Sequence, residues 1–269
     1  MIYFITTDEW HLRHYQKNLY DNIEILDDTD ATLDIFYQWL LDNPTNIVGY
    51  DTETTGLDAW KNNTILRIIG NDTDQFILHT PYCRAETYTS IVYEEGFTIL
   101  GANIKFDIKF IATEDNIHFT KVWDVMIAEQ RLYMKSGLRF ALDQMCIRYL
   151  DVFPDAMDKK IRMEFVDADL FKFKVRPRHL YYGASDVSNL FPIKEKQEIL
   201  LIKYNLENLV YNIEFPLIPI IAKAELTGFE FDSKSWLEVY DANVAKRFEY
   251  ECKLDIEVRR LRDTNFKND

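Results

Sequence analysis

Residues 46–57, Asn-Ile-Val-Gly-Tyr-Asp-Thr-Glu-Thr-Thr-Gly-Leu, begin as an apolar run and end in a turn. The run predicts a buried strand over Asn46 to Thr52. Asp51 and Glu53 stand at i and i+2, so the two-residue side-chain period of a strand puts both carboxylates on one face. Two acids side by side need a cation. A lone Asp-x-Glu reads better as a strand-end or turn Asp followed by a solvated Glu, but this one closes a buried strand and enters a Thr-Thr-Gly turn.

Outward from that strand, Ile65 to Gly70 and Gln75 to Leu78 are apolar runs separated by the turn-forming Asn71-Asp72-Thr73-Asp74. They are expected to pair as a hairpin beside it, giving three antiparallel strands. Further strands are expected at residues 2–5, 23–26 and Phe97 to Leu100. Thr29 to Asn43 reads as a helix with Leu33, Phe36, Tyr37, Leu40 and Leu41 on one face, stopped by Pro44. Helices are also expected near 103–114, 124–134 and 139–150, and from Pro177 to about Tyr204. Between Leu150 and Arg178 the pattern is irregular and reads as a long functional loop with short helices. The fold class is therefore α/β, a mixed sheet flanked by helices. Residues 206–269 read as a helical extension ending in a charged amphipathic helix over 233–262.

Two further clusters carry polar groups at helical spacing. Asn103 and Asp107 follow a strand at a separation of four, the spacing that shares a face on a helix's first turns. On its own this reads equally as a cap and an exposed acid. Tyr182 and Asp186 are four apart inside a helix, where Asp is a poor former and asks for a partner.

Taken together and in order, DTETTGL (51–57), NIKFD (103–107) and YGASD (182–186) resemble the three exonuclease motifs of the DnaQ-like superfamily, in its tyrosine-bearing branch. Within it the chain is most similar to the proofreading domain of family A DNA polymerases, from about Asn46 to Leu206. The sister branch carries a histidine five residues before the last Asp, and position 181 here is Tyr. The resemblance implies a ribonuclease H-like exonuclease domain over 1–205. It also implies four acids, Asp51, Glu53, Asp107 and Asp186, that hold two Mg2+ or Mn2+ ions. Tyr182 would orient the attacking water. Leu57 would pack against the terminal base, with an ordinary core Leu as the alternative, and Thr52 and Asn103 would contact or steady the 3′ end. The stretch Ile213 to Asp232 resembles the entry to a polymerase region, but nothing resembles palm or fingers.

The implied activity is removal of nucleoside 5′-monophosphates from single-stranded or frayed DNA 3′ ends, with a separately encoded polymerase as partner. RNA trimming of the RNase D kind and a catalytically silent adaptor are the alternatives. The basic-aromatic run Phe171 to Arg178 reads as a nucleotide groove or as a solvated loop. With 31 Lys+Arg against 45 Asp+Glu, net charge −14, bulk attraction to duplex is excluded, whereas a local site is not. Three scattered cysteines, Cys83, Cys146 and Cys252, argue against a disulfide framework or cysteine zinc site. No stretch is a membrane span or a signal peptide, so an intracellular, reducing, cytoplasmic setting is expected. His11 and His14 are expected on a solvated face.

Overall fold

A computed structural model describes residues 1–18, 20–134, 136–153 and 158–265. Seven strands, β1 (Ile2–Ile5), β2 (Ile23–Leu26), β3 (Ile47–Thr54), β4 (Thr64–Gly70), β5 (Gln75–His79), β6 (Thr98–Gly101) and β7 (Val122–Asp124), form one sheet in the order β2-β1-β5-β4-β3-β6-β7. The helices are α1 (Glu9–Lys17), α2 (Asp30–Leu41), α3 (Ala85–Glu94), α4 (Lys105–Asp115), α5 (Val125–Leu132), α6 (Leu142–Leu150), α7 (Asp158–Phe165), α8 (Pro177–Ser188), α9 (Leu190–Lys203), α10 (Glu207–Leu209), α11 (Phe215–Thr227) and α12 (Ser233–Asn265). The expected hairpin is present: β3, β4 and β5 pair antiparallel, and β1, β2, β6 and β7 join them in parallel.

Parallel neighbours require covered faces, and the core divides accordingly into two clusters. One holds Phe36, Leu40, Val48, Tyr50 and Tyr88; the other holds Phe4, Ile65, Ile68, Leu180 and Val187. α2 buries Phe36 and Leu40 while Tyr37 and Leu41 of its expected apolar face stay exposed, because the helix packs through a narrower stripe. The single helix expected from Pro177 to Tyr204 is two, α8 and α9, joined at Asn189.

His11 departs from expectation. It is fully buried against Phe4 and His79, its Nδ1 is bonded to Asp8, and its Nε2 accepts the Val175 amide at 3.0 Å. The start of α1 folds back over β1, and a ring with two polar partners can be buried at little cost there.

The central polar tie of the sheet is Arg67 on β4, which is buried. Its guanidinium pairs with Asp115 and, at 2.7 Å, with Glu114, both at the end of α4, and it donates to Thr89 of α3 at 3.1 Å. The helices on that face are thereby pinned to the strand next to β3.

The compact unit that contains the sheet runs from Met1 to Leu226, beyond the boundary expected at 205, and a second unit covers Thr227–Asp269. Phe215, Ile218 and Ala222 of α11 enter the core, with the Phe215 ring 5.0 Å from that of Trp123. Glu225 bonds Lys109 at 2.8 Å and also pairs with Lys105, tying α11 to α4.

On the opposite face, α8 crosses β3 and β4 at close range because two glycines leave room. A Cβ at Gly49 would lie 2.6 Å from Val187 and 3.1 Å from Phe191, and one at Gly183 would lie 3.0 Å from Ile68. Gly49→Ala should therefore push α8 away from β3 and cost about 1–3 kcal/mol, measured by thermal or urea unfolding. An unchanged melting temperature would show that the crossing is not tight.

Candidate active site

β3 delivers Asp51 and Glu53 to one side of the sheet, and α8 brings Asp186 to meet them. One carboxylate oxygen from each lies within 4.8 Å of the others. Glu53 is buried, while Asp51 and Asp186 keep partial exposure. This is the convergence that the i and i+2 spacing anticipates.

Asp107 lies in the first turn of α4 and is buried. Its Oδ1 accepts the Thr52 hydroxyl at 2.7 Å, and its charge reaches Asp51. Thr52 alternates to the side of the strand away from Asp51 and Glu53, so its hydroxyl orients Asp107. Asn103 does not share a helical face with Asp107, since α4 begins only at Lys105 and Asn103 sits in the left-handed region with φ 63°. The turn is held instead by the buried Asp124, which accepts the amides of Asn103 at 3.2 Å and Ile104 at 2.9 Å. The same carboxylate caps α5 through Met126 at 2.8 Å. Sequence reading passed over Asp124, although an Asp just before an apolar helix is a legible N-cap signal.

Tyr182 lies one turn before Asp186 on α8, half-buried beside that carboxylate. Burial, then the charges of Asp186, Glu53 and Asp51, raise the phenol well above its ordinary value. It therefore stays protonated and acts as a donor. Leu57 emerges past the β3 bend 77 % exposed, so it is no core leucine. Nearby Trp60 is also exposed and donates its indole N–H to the Leu226 carbonyl at 3.2 Å.

Of the basic-aromatic run, Phe171 is exposed, Lys172 pairs with Asp169 at 2.8 Å, and Arg178 pairs with Glu164 at 2.5 Å. Lys174 lies over the Trp10 ring at 4.6 Å. A cation that sequence reading missed stands closer to the acids. Ile161 and Phe165 bury one face of α7, and the Asp167 amide that follows bonds the Thr55 carbonyl of the β3 exit at 2.9 Å. Arg162, exposed on the same helix, is thus placed where its charge acts on both Asp51 and Glu53. Only its position in the irregular segment marks it in the sequence.

The confined charges raise the acids. Burial first, then repulsion from Asp107, Glu53 and Asp186, pushes Asp51 well above the carboxylate range, opposed by Arg162. Glu53 is raised by burial and by Asp186. Asp107 is pushed up to about 7 by burial, against the Thr52 hydrogen bond. All-oxygen donors that resist ionisation together fit a hard divalent cation.

In the metal-free protein these raised acids bind protons that the unfolded chain has released. Their contribution favours folding at low pH and is lost as pH rises from the ordinary carboxylate range through about 7 for Asp107. Asp51→Asn should raise the metal-free melting temperature, by more at pH 8 than at pH 5. The buried histidines His11, His79 and His179 titrate with the opposite sign but are common to both proteins, so they drop out of the difference. Stabilisation of the parent chain by Mn2+ should grow between pH 6 and pH 8 as protons leave the ligands, as calorimetry in buffer and in chelator would show.

A family model described as 3′-5′ exonuclease matches residues 23–201. No curated protein sequence matches the chain. Among solved structures, Brucella melitensis NrnC superposes with a TM-score of 0.59 at 22% identity, covering 70% of this chain and 89% of that one. The catalytic core of RRP6 from Trypanosoma brucei gives 0.61 at 18%, covering 81% and 52%. Escherichia coli RNase D, an exoribonuclease involved in structured RNA processing, gives 0.60 at 15%, covering 72% and 49%. These likenesses concern the fold. The family match spans β3, α4 and α8, the three elements that carry the acids, and the chain belongs to the 3′-5′ exonuclease family, within the DnaQ-like superfamily.

Proposed function

We propose that the chain removes nucleoside 5′-monophosphates from single-stranded or frayed DNA 3′ ends, with two Mg2+ or Mn2+ ions, proofreading within or beside a DNA polymerase. The observation that carries this reading is the meeting of Asp51, Glu53 and Asp186 beside a protonated Tyr182. Asp51, Glu53 and Asp186 hold the ions directly, and Asp107 supports them from the α4 side. When bound, the ions supply the positive charge that eases deprotonation of water and departure of a 3′ oxygen.

The chain's own groups do the rest. Tyr182 donates from a fixed phenol and cannot serve as a base, so its task is to orient the attacking water in line with the scissile bond. Leu57, projecting beside the site, packs on the terminal base and separates it from its neighbour. Asn103 shapes the turn under the 3′ end through its left-handed backbone. Thr52 acts through Asp107. Arg162 receives the phosphate next to the scissile one, the role open to an exposed cation at the rim of an acidic site.

RNA trimming is the second reading, favoured by the fold shared with Escherichia coli RNase D. Incubation with 5′-labelled DNA and RNA oligonucleotides, with Mg2+, Mn2+ or chelator, tests both. Stepwise 3′ shortening of DNA faster than RNA is expected, abolished by chelator and by Asp51→Ala. Faster shortening of RNA would establish the second reading, and no shortening of either would leave an adaptor.

Tyr182→Phe should lower kcat about ten- to a hundredfold while the Mn2+-induced rise in melting temperature persists. Unchanged kcat would reduce Tyr182 to packing. Arg162→Gln should raise KM on the order of tenfold and flatten the salt dependence of KM, again with metal stabilisation intact. A fall in kcat alone would contradict phosphate binding.

A further inference from the structure

α12 is a single helix of 33 residues, and no catalytic group lies on it. Large apolar side chains along it are exposed. A 3-4 spacing threads the positions 237, 240, 244, 247, 251, 254, 258 and 261 into one stripe, the period of a coiled-coil seam. Six of the eight are Leu, Val or Tyr, and the two in the middle are Arg247 and Glu251. Val239 and Ile256 fall outside this stripe.

The order along the seam reads the same from both ends. Paired by a two-fold axis through residue 249, the middle of α12, Leu237 meets Leu261, Tyr240 meets Val258, and Val244 meets Leu254. Arg247 then meets Glu251, twice, once on each side of the axis. This is the a-against-d layering that antiparallel helices adopt. A parallel pair would set Arg247 against Arg247 and Glu251 against Glu251, so like charge excludes it. Phe248 and Tyr250, both exposed, flank the axis and would each stack near its own copy, covering the ion pairs. Asp241 facing Asp255 of the second copy, and Lys234 facing Arg262 near the helix ends, are the unfavourable flanks.

We propose that α12 is a self-association surface, and that two copies of this chain join through it as an antiparallel two-helix coiled coil. Within one chain Arg247 and Glu251 lie 3.5 Å apart at i and i+4, exposed and worth little in water. Across the axis the same two side chains exchange partners and become enclosed by aromatic rings. The pair then selects register and direction, the use to which a polar seam position is best suited.

Sedimentation equilibrium of the full chain at about 10–100 μM should give twice the chain mass, in the range expected for a four-heptad coil. Leu254→Asp should give the single mass, with nuclease activity on short single strands retained. Arg247→Glu should weaken association at least tenfold, because it sets Glu against Glu, and Arg247→Glu combined with Glu251→Arg should restore it. In a Cys252→Ser background, Tyr240→Cys mixed with Val258→Cys should crosslink under mild oxidation, whereas either alone should not. A single-mass parent chain at these concentrations, failure of the charge exchange to restore association, or crosslinking of Tyr240→Cys with itself would each overturn the proposal.

Discussion

Four carboxylates forced into one neighbourhood impose the condition that the remaining structure has to meet. Asp51, Glu53 and Asp186 repel one another, and burial of Asp107 adds to the cost. That repulsion has to be offset by the structure around them. The work falls to packing and to ion pairs placed behind them. Arg67 ties α4 to the strand beside β3 through Glu114 and Asp115, Thr52 turns Asp107, and Asp124 fastens the turn from which α4 starts. A fold that assembles like charges in advance of their counter-ion stores the affinity that the counter-ion later releases.

The parts of this arrangement that were readable from residues alone are those written in short periods. The alternation in β3 placed Asp51 and Glu53 on one face, and the Asn-Asp-Thr-Asp turn placed β4 against β5. The Tyr182–Asp186 spacing placed a donor one helical turn from an acid. What depended on distant contacts was not readable. β7 and α3 are too short or too weakly patterned to announce themselves. Burial of His11 depends on Asp8, on the Val175 amide 164 residues away, and on His79. Arg162 gains its meaning only because α7 lies along the β3 exit. The reach of the sheet unit to Leu226 rests on Phe215 and Glu225 finding partners on β7 and α4.

Charge is distributed with a similar economy. In a chain of net charge −14, several cations already have acidic partners: Lys105 and Lys109 pair with Glu225, Lys172 with Asp169, Arg178 with Glu164. Such pairing keeps long flexible side chains from competing with divalent ions for the carboxylates. It also leaves little to attract duplex from a distance, which suits a site open only to a chain end.

The close crossing of α8 over β3 carries an implication for how relatives of this protein are recognised. The distance from Asp186 to its two partners is set by atoms that are missing, the side chains absent at Gly49 and Gly183. A methyl group gained at either place would spread the three acids while leaving every one of them in the sequence. An intact acidic signature is thus necessary for hydrolysis and insufficient to infer it. Silent descendants of such an enzyme would be detected sooner by inspecting two glycines than by counting carboxylates.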